Sequence, residues 1–327
     1  MPRLSLRALV LAALPLAACN RNEAREIASR TSPAPTPPPA ATVVPFPSTL
    51  SRPAPERLVA IGDLHGDLDH ARHALRLAGA IDEHDRWTGG HLVVVQTGDE
   101  IDRGDDDRAI LDLVDALKKQ AAAAGGELIA LLGNHEIMNA SLDFRYVTSR
   151  GFAAFSMFEA NGPSNAKPAL PDDEKGRAGA FAPGGPYAKV ESARPLVVKV
   201  GDTVFVHGGV LPKHVAYGLG RMSDEVDDWL AGKQSEPPAI VVAEDGPVWT
   251  RAYSREDGAP DCTDLTRVLD ELGAKRMVVG HTVQRAGVNG ACDGKVWRID
   301  VGLSRYFGGP IEVLEIRGDE ARPLREK

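Results

Sequence analysis

Cysteine is scarce, with only Cys19, Cys262 and Cys292 among 327 residues. That excludes a disulfide-dense miniprotein and a cysteine-rich zinc module. A basic surplus is also missing: 46 acidic residues face 38 Lys and Arg, leaving a net charge of −8. Nucleic acid is thereby excluded as the main partner, because phosphate backbones are held by clustered Lys and Arg. A small anionic substrate is not excluded, since a bound metal inverts the local field. The apolar run Ala8–Ala18 is too short to cross a bilayer as a helix; preceded by Arg3 and Arg7, it suits the core of a signal peptide over residues 1–18.

Leu16-Ala17-Ala18-Cys19 at the end of that run resembles the lipobox of bacterial lipoproteins. The resemblance implies export, lipidation of Cys19 as the membrane anchor, and, with Asn20 following, the periplasmic face of the outer membrane. Residues 19–56 read as a spacer, with nine prolines between Thr31 and Pro55 favouring extended conformers. In an oxidising compartment Cys262 and Cys292 are expected to pair, the alternative being two separate thiols.

From Arg57 to the end, residues 57–327 read as one catalytic domain. Short apolar runs each end in a polar, glycine-rich turn: Leu58–Ile61 before Gly62-Asp63-Leu64-His65-Gly66-Asp67, Leu92–Val95 before Gly98-Asp99-Glu100-Ile101-Asp102-Arg103-Gly104, and Leu128–Leu132 before Gly133-Asn134-His135-Glu136. Such runs are the signature of buried central strands. Helices are expected at about 68–78 and at 106–124, the second with Ile110, Leu113, Val114, Leu117 and Ala121 on one face. The Asp105-Asp106-Asp107 cluster suits the positive end of that helix's dipole. This β-α-β-α-β order specifies an α/β domain with a partly parallel sheet, whose ligands bind beyond the carboxyl ends of the strands. Two later strands, Thr203–Val206 before His207-Gly208-Gly209 and Arg276–Val279 before Gly280-His281, deliver further polar turns.

Asp63, His65, Asp99, Asn134, His207 and His281 thus gather at one rim. A mixed oxygen and nitrogen set suits borderline divalent ions such as Mn, Fe, Zn or Co. Six groups are too many for one open catalytic metal and right for two, which clamp the attacking and leaving oxygens of a phosphoryl displacement. His70, His73, His84, His91 and His214 sit in no comparable turn and read as ordinary loop or turn residues.

GDLHGD, GDEIDRG and GNHE, followed by HGG and GH, resemble the calcineurin-like metallophosphoesterases, and the DRG and GNHE spellings their phosphoprotein phosphatase branch. The run from Gly133 to Asn139, then Asp143–Val147 and Gly246–Arg251, is similar to the Shewanella-like protein phosphatases. The resemblance covers about Leu58 to Gly302. It implies a four-layer αββα sandwich of two mixed sheets, with two divalent metal ions at the strand ends. Asp63 and His65 would hold the first ion, Asp99 would bridge, and Asn134, His207 and His281 would complete the second. His135 would be the general acid, oriented by Asp102. Arg103, and Arg251 with it, would clamp phosphate oxygens. The implied reaction is hydrolysis of a phosphomonoester, on a phosphorylated protein (Ser/Thr or Tyr) or a small phosphate ester, by direct attack of a metal-bridging hydroxide. A nucleotide or dinucleoside polyphosphate is the alternative substrate, and a binding lipoprotein on an inactive scaffold the alternative of another class.

Elsewhere, Phe152, Phe155 and Phe158 are spaced as one buried helix face. The Pro/Gly/Asp-rich stretch 161–186 reads as a loop, either a wall of the site or a surface insertion. Val296–Leu314 reads as two β segments around Gly308-Gly309 that complete the second sheet.

Overall fold

The computed structural model of the protein describes residues 45–161, 170–255 and 259–325. The signal-peptide and lipobox readings lie outside them, as does most of the proline-rich spacer. Among the described residues no helix is long and apolar enough to cross a membrane.

Eleven strands are described: β1 (Ser51–Arg52), β2 (Leu58–Ile61), β3 (Val93–Gln96), β4 (Glu127–Ala130), β5 (Val197–Val200), β6 (Thr203–Val206), β7 (Arg276–Val279), β8 (Asn289–Ala291), β9 (Val296–Arg298), β10 (Glu312–Arg317) and β11 (Glu320–Arg325). They form two mixed sheets, ordered β1-β5-β6-β7-β9-β8 and β11-β10-β2-β3-β4. The strands that carry the motif turns run parallel within each sheet: β2, β3 and β4 in one, β6 and β7 in the other. Their carboxyl ends therefore meet at one rim.

The alternation of side chains along β6 and β7 explains the layering. Phe205 and Val278 face the five-stranded sheet, where they join Val59, Val95 and Leu314 in one core. Val204, Val206, Met277 and Val279 face the other way, onto the helices Leu219–Leu230 and Cys262–Leu272. On the far side of the five-stranded sheet lie α1 (Leu68–Leu77) and α2 (Asp107–Ala123), which bury Ala71, Ala74, Ile110, Val114 and Leu117. Each such Val, Ile, Leu, Met or Phe side chain contributes about 1.5–3 kcal/mol when taken from water. The result is the expected four-layer αββα sandwich. Cys262, at the start of its helix, is disulfide-bonded to Cys292.

Four local expectations are corrected. Ser51 and Arg52 pair in parallel with Lys199 and Val200, so the fold begins ahead of Arg57. The two late β segments do not share a sheet: β9 pairs with β7, whereas β10 crosses to pair with β2 in the other sheet. The three phenylalanines do not share a helix face. α4 (Ser149–Ala153) ends before Phe155, and Phe152 packs on Phe144 while Phe155 is buried against Phe181 and Tyr187. Finally, the stretch 161–186 holds a helix, α5 (Lys175–Phe181), whose residues from Gly176 onward are all buried. The helix between Gly133 and Ser141 is α3 (Asn134–Ala140).

Candidate metal centre and active site

Each motif turn leaves its strand and doubles back at once. His65, Asp99, Asp102, Arg103 and His281 all take positive φ, between 46° and 71°. This region is sparsely populated for residues with a Cβ and costs about 1–3 kcal/mol at each position. The turns also pass very close to one another. A Cβ at Gly133 would overlap an oxygen of Asp99, and one at Gly280 an oxygen of Asp63. Glu136 secures two of the turns by accepting hydrogen bonds from the backbone N–H groups of Asp99 (2.9 Å), Glu100 (2.9 Å) and Gly133 (2.7 Å).

All six expected ligand residues meet there, and all are buried. Ligand atoms of Asp99, His207 and His281 lie within 4.8 Å of one another, as do those of His65, Asp99 and His135, with Asp99 common to both groups. Asp63 lies 3.9 Å from His65 Nε2, and Asn134 Oδ1 lies 3.0 Å from His207 Nε2. A backbone carbonyl holds one ring nitrogen of each of three histidines: Ile101 for His65 Nδ1 (3.3 Å), Thr97 for His207 Nδ1 (2.8 Å) and Trp249 for His281 Nε2 (3.0 Å). The opposite nitrogen is left to face the cluster, the usual arrangement behind metal-bound imidazoles.

The electrostatics fit cations. Burial, then the charges of Asp300 and Asp99, push the Asp63 carboxyl well above its ordinary range. Burial and the neighbouring His135 lower His65 to about 3, and burial with His207 and Arg251 lowers His281, so both rings present lone pairs. Burial acts against charge on His207, yet Asp99 raises its pKa. Two buried carboxylates, three imidazoles and one amide oxygen form a donor set for two divalent ions, which would relieve the mutual repulsion of Asp63, Asp99 and nearby Asp300. None of His70, His73, His84, His91 and His214 joins either ligand group.

The remaining expected residues surround this cluster. His135 donates through its backbone N–H to Asp99 Oδ1 (2.9 Å), and its Nδ1 lies 2.7 Å from Asp102 Oδ2. Nε2, at the opposite edge of the ring, is 3.9 Å from Asp99. Arg103 lays its guanidinium over the Tyr146 ring at 3.7 Å and over Tyr306 at 5.0 Å, and donates to the Tyr306 hydroxyl at 3.0 Å. Its Nε is buried without a hydrogen-bond partner. Arg251 is exposed and makes no ion pair among the described residues; desolvation lowers its pKa, against the opposing pull of Asp99, Asp300 and Asp63.

Sequence reasoning missed several neighbours. Asp300 accepts from Gly302 N–H at 2.9 Å, and burial raises its pKa to about 6. Tyr146 lies in the Asp143–Val147 run, but nothing in that run marks its ring as the platform for Arg103. Asp107 does open α2, as the dipole argument expects, but it is also fully buried and accepts from the Asp102 N–H at 3.0 Å. Arg177 of α5 is fully buried beside Asp102, and only tertiary packing brings it there.

Comparison with known proteins shows the family. The calcineurin-like phosphoesterase family pattern matches residues 56–285. Shewanella-like protein phosphatase 2 of Arabidopsis thaliana is 42% identical over 297 residues, covering 81% of this chain and 76% of the relative. Shewanella-like protein phosphatase 1 of Plasmodium berghei is 29% identical over 265 residues, covering 78% and 69%. Among solved structures, the cold-active protein-tyrosine phosphatase of a psychrophilic Shewanella species superposes with a TM-score of 0.65 at 25% identity, covering 88% of this chain and 84% of that one. The chain belongs to the calcineurin-like phosphoesterases, and within them to the Shewanella-like protein phosphatases, and is a metal-dependent phosphatase.

Proposed function

We propose that the protein hydrolyses phosphotyrosyl groups and related aryl phosphate monoesters. The observation that carries this reading is the aromatic wall around Arg103: Tyr146 beneath its guanidinium, the exposed Tyr306 above, and Phe307 with its ring at 5.8 Å. A phosphoryl group bound by Arg103 would place an aryl leaving group along that wall, where ring stacking favours it over an alkyl chain. The likeness to a protein-tyrosine phosphatase structure supports the same substrate class.

Asp63, His65 and Asp99 would hold one divalent ion, and Asp99, Asn134, His207 and His281 the other, with Mn, Fe or Zn suited to the donors. Such ions supply Lewis-acid activation of water and neutralisation of phosphoryl charge. The chain's own residues do the rest. Arg103 and Arg251 bind phosphate oxygens, the first pre-aligned by its aromatic neighbours. His135 stands as general acid. As the P–O bond to the leaving group breaks, the departing oxygen takes the proton on Nε2, while Asp102 keeps the ring aligned through Nδ1. Water contributes hydroxyl to phosphorus and its second proton to His135, so the products are a phenol and inorganic phosphate, with the enzyme restored.

Kinetics on a phosphotyrosyl peptide, a phosphoseryl peptide of the same sequence and a nucleoside monophosphate test the substrate class. The expected result is a kcat/KM at least about tenfold higher for phosphotyrosine, a difference of about 1.4 kcal/mol in transition-state binding. A preference for the nucleotide or for phosphoserine would overturn the reading. Lipid attachment at Cys19, with export, is our proposal for the first 19 residues. Labelling with a fatty-acid probe that is lost in Cys19→Ser supports it, and an unlabelled wild type refutes it.

A further inference from the structure

α5 projects one cation into the fold. The Arg177 side chain is wholly buried, walled by Phe155 and Phe181 with ring centroids 5.2 and 5.0 Å from its guanidinium carbon. Removing a guanidinium from water is costly unless every donor is matched. Here Nη2 donates to Asp102 Oδ1 at 2.9 Å, Nε to Asn139 Oδ1 at 2.6 Å and Nη1 to the Gly151 carbonyl at 3.1 Å, with Asp107 Oδ2 2.7 Å from Nη1.

Each of these partners leads to the site. Asp102 holds the His135 ring through Nδ1 at 2.7 Å. Asn139, its oxygen committed to Arg177, is obliged to turn its NH₂ toward Asp102, which it meets at 3.1 Å from both carboxylate oxygens. Asp107 accepts from the backbone N–H of Asp102, where the chain turns at positive φ into Arg103. One side chain therefore bridges the carboxylate that aligns His135 and the carboxylate that pins the Asp102-Arg103 turn. A Lys, with a single point of charge, lacks the planar fork to contact both.

We propose that Arg177 is a positioning residue of the phosphatase reaction, acting through Asp102 to align His135 for proton delivery to the leaving group. The proposal rests on the role given to His135 above. A merely structural arginine would slow all substrates alike, whereas misalignment of an acid slows those whose leaving group needs a proton.

The test uses the zinc-loaded full chain, wild type against Arg177→Met and Arg177→Lys. Turnover is measured on phenyl, nitrophenyl and dinitrophenyl phosphate, and imidazole N–H signals are read by NMR on histidine-labelled protein. For R177M we expect kcat to fall about 100-fold on phenyl phosphate and less than about threefold on dinitrophenyl phosphate, whose anion departs unaided. R177K, which keeps a cation against one carboxylate, should recover part of the loss. The deshielded Nδ1–H signal of His135 should move or broaden in R177M. An equal fall across the series, or an unmoved His135 signal in both variants, would overturn the proposal. The two readings separate cleanly. An inactive wild type whose His135 signal still shifts in R177M sustains the positioning and sinks the proposed function; an active wild type insensitive to both substitutions does the reverse.

Discussion

Replacing Asp102 by Asn changes one atom and removes one charge. The carboxylate is fully buried and receives His135 Nδ1 at 2.7 Å, Asn139 Nδ2 at 3.1 Å to each oxygen and Arg177 Nη2 at 2.9 Å. An amide offers one oxygen. Turned toward Arg177, it sets its NH₂ against the His135 N–H; turned toward His135, it sets its NH₂ against the guanidinium. Either way Arg177 is left facing Asp107 as its only carboxylate. Breaking a buried ion pair by removing one partner costs about 3–5 kcal/mol, and the surviving pair with Asp107 favours the lower end. About 3 kcal/mol in a domain of this size lowers Tm by roughly 6–12 °C. The same substitution withdraws support from protonated His135, so kcat on an aryl phosphate should fall by about 10²–10⁴-fold. Calorimetry and steady-state kinetics on D102N measure both effects, with metal content assayed alongside. A variant that retains wild-type Tm and kcat would refute the reasoning.

Three further outcomes are expected. Arg103→Ala removes a charge-assisted, forked phosphate contact of about 1.5–3 kcal/mol and should lower kcat/KM about 10–100-fold; unchanged kinetics would exclude the clamp. Replacing Cys262 and Cys292 by Ser opens a loop of 30 residues, which a chain-entropy account values at about 3.6 kcal/mol, read as a lower denaturation midpoint; an unmoved midpoint contradicts it. Glu315 is buried on β10, and although burial opposes its charge, Arg57 at 2.6 Å and Arg322 at 2.7 Å hold its pKa down to about 2, from the ordinary 4.5. A depressed folded-state value stabilises above the unfolded one, so the wild-type advantage over Glu315→Gln should be full at neutral pH and fade between about pH 4.5 and 2. A difference constant across that window would be the contrary result.

The metal cluster was legible because its residues cluster locally. Asp63, His65, Asp99, Asn134, His207 and His281 each stand beside a glycine in a turn that ends an apolar run, and a parallel strand end is a place where ligands bind. His135 and Asp102 were legible only through the GNHE and DRG resemblance, since their pairing spans 33 positions. Arg177 was not legible. It sits in a seven-residue helix with two internal glycines, inside a stretch whose composition reads as loop, and its burial depends on Phe155 and Phe181 folding over it. The second role of Asp107 was hidden for a related reason, because the first turn of a helix welcomes a carboxylate whether or not a distant arginine claims it. The crossing of β10 to the other sheet is likewise a tertiary choice, as β9 and β10 are both short apolar-rich runs with nothing local to name their partners.

Asp99 is the residue shared by the two ligand groups, and so the sharpest probe of a two-metal centre. Metal content by mass spectrometry, paired with turnover of a phosphotyrosyl peptide, should find two divalent ions per wild-type chain. In Asp99→Asn at least one ion should be lost and turnover should fall by about three orders of magnitude, as expected when a group acting on the reacting centre is removed. Full turnover by wild-type protein carrying less than one ion per chain, or a D99N variant that keeps both ions and its activity, would contradict a two-metal centre built on Asp99.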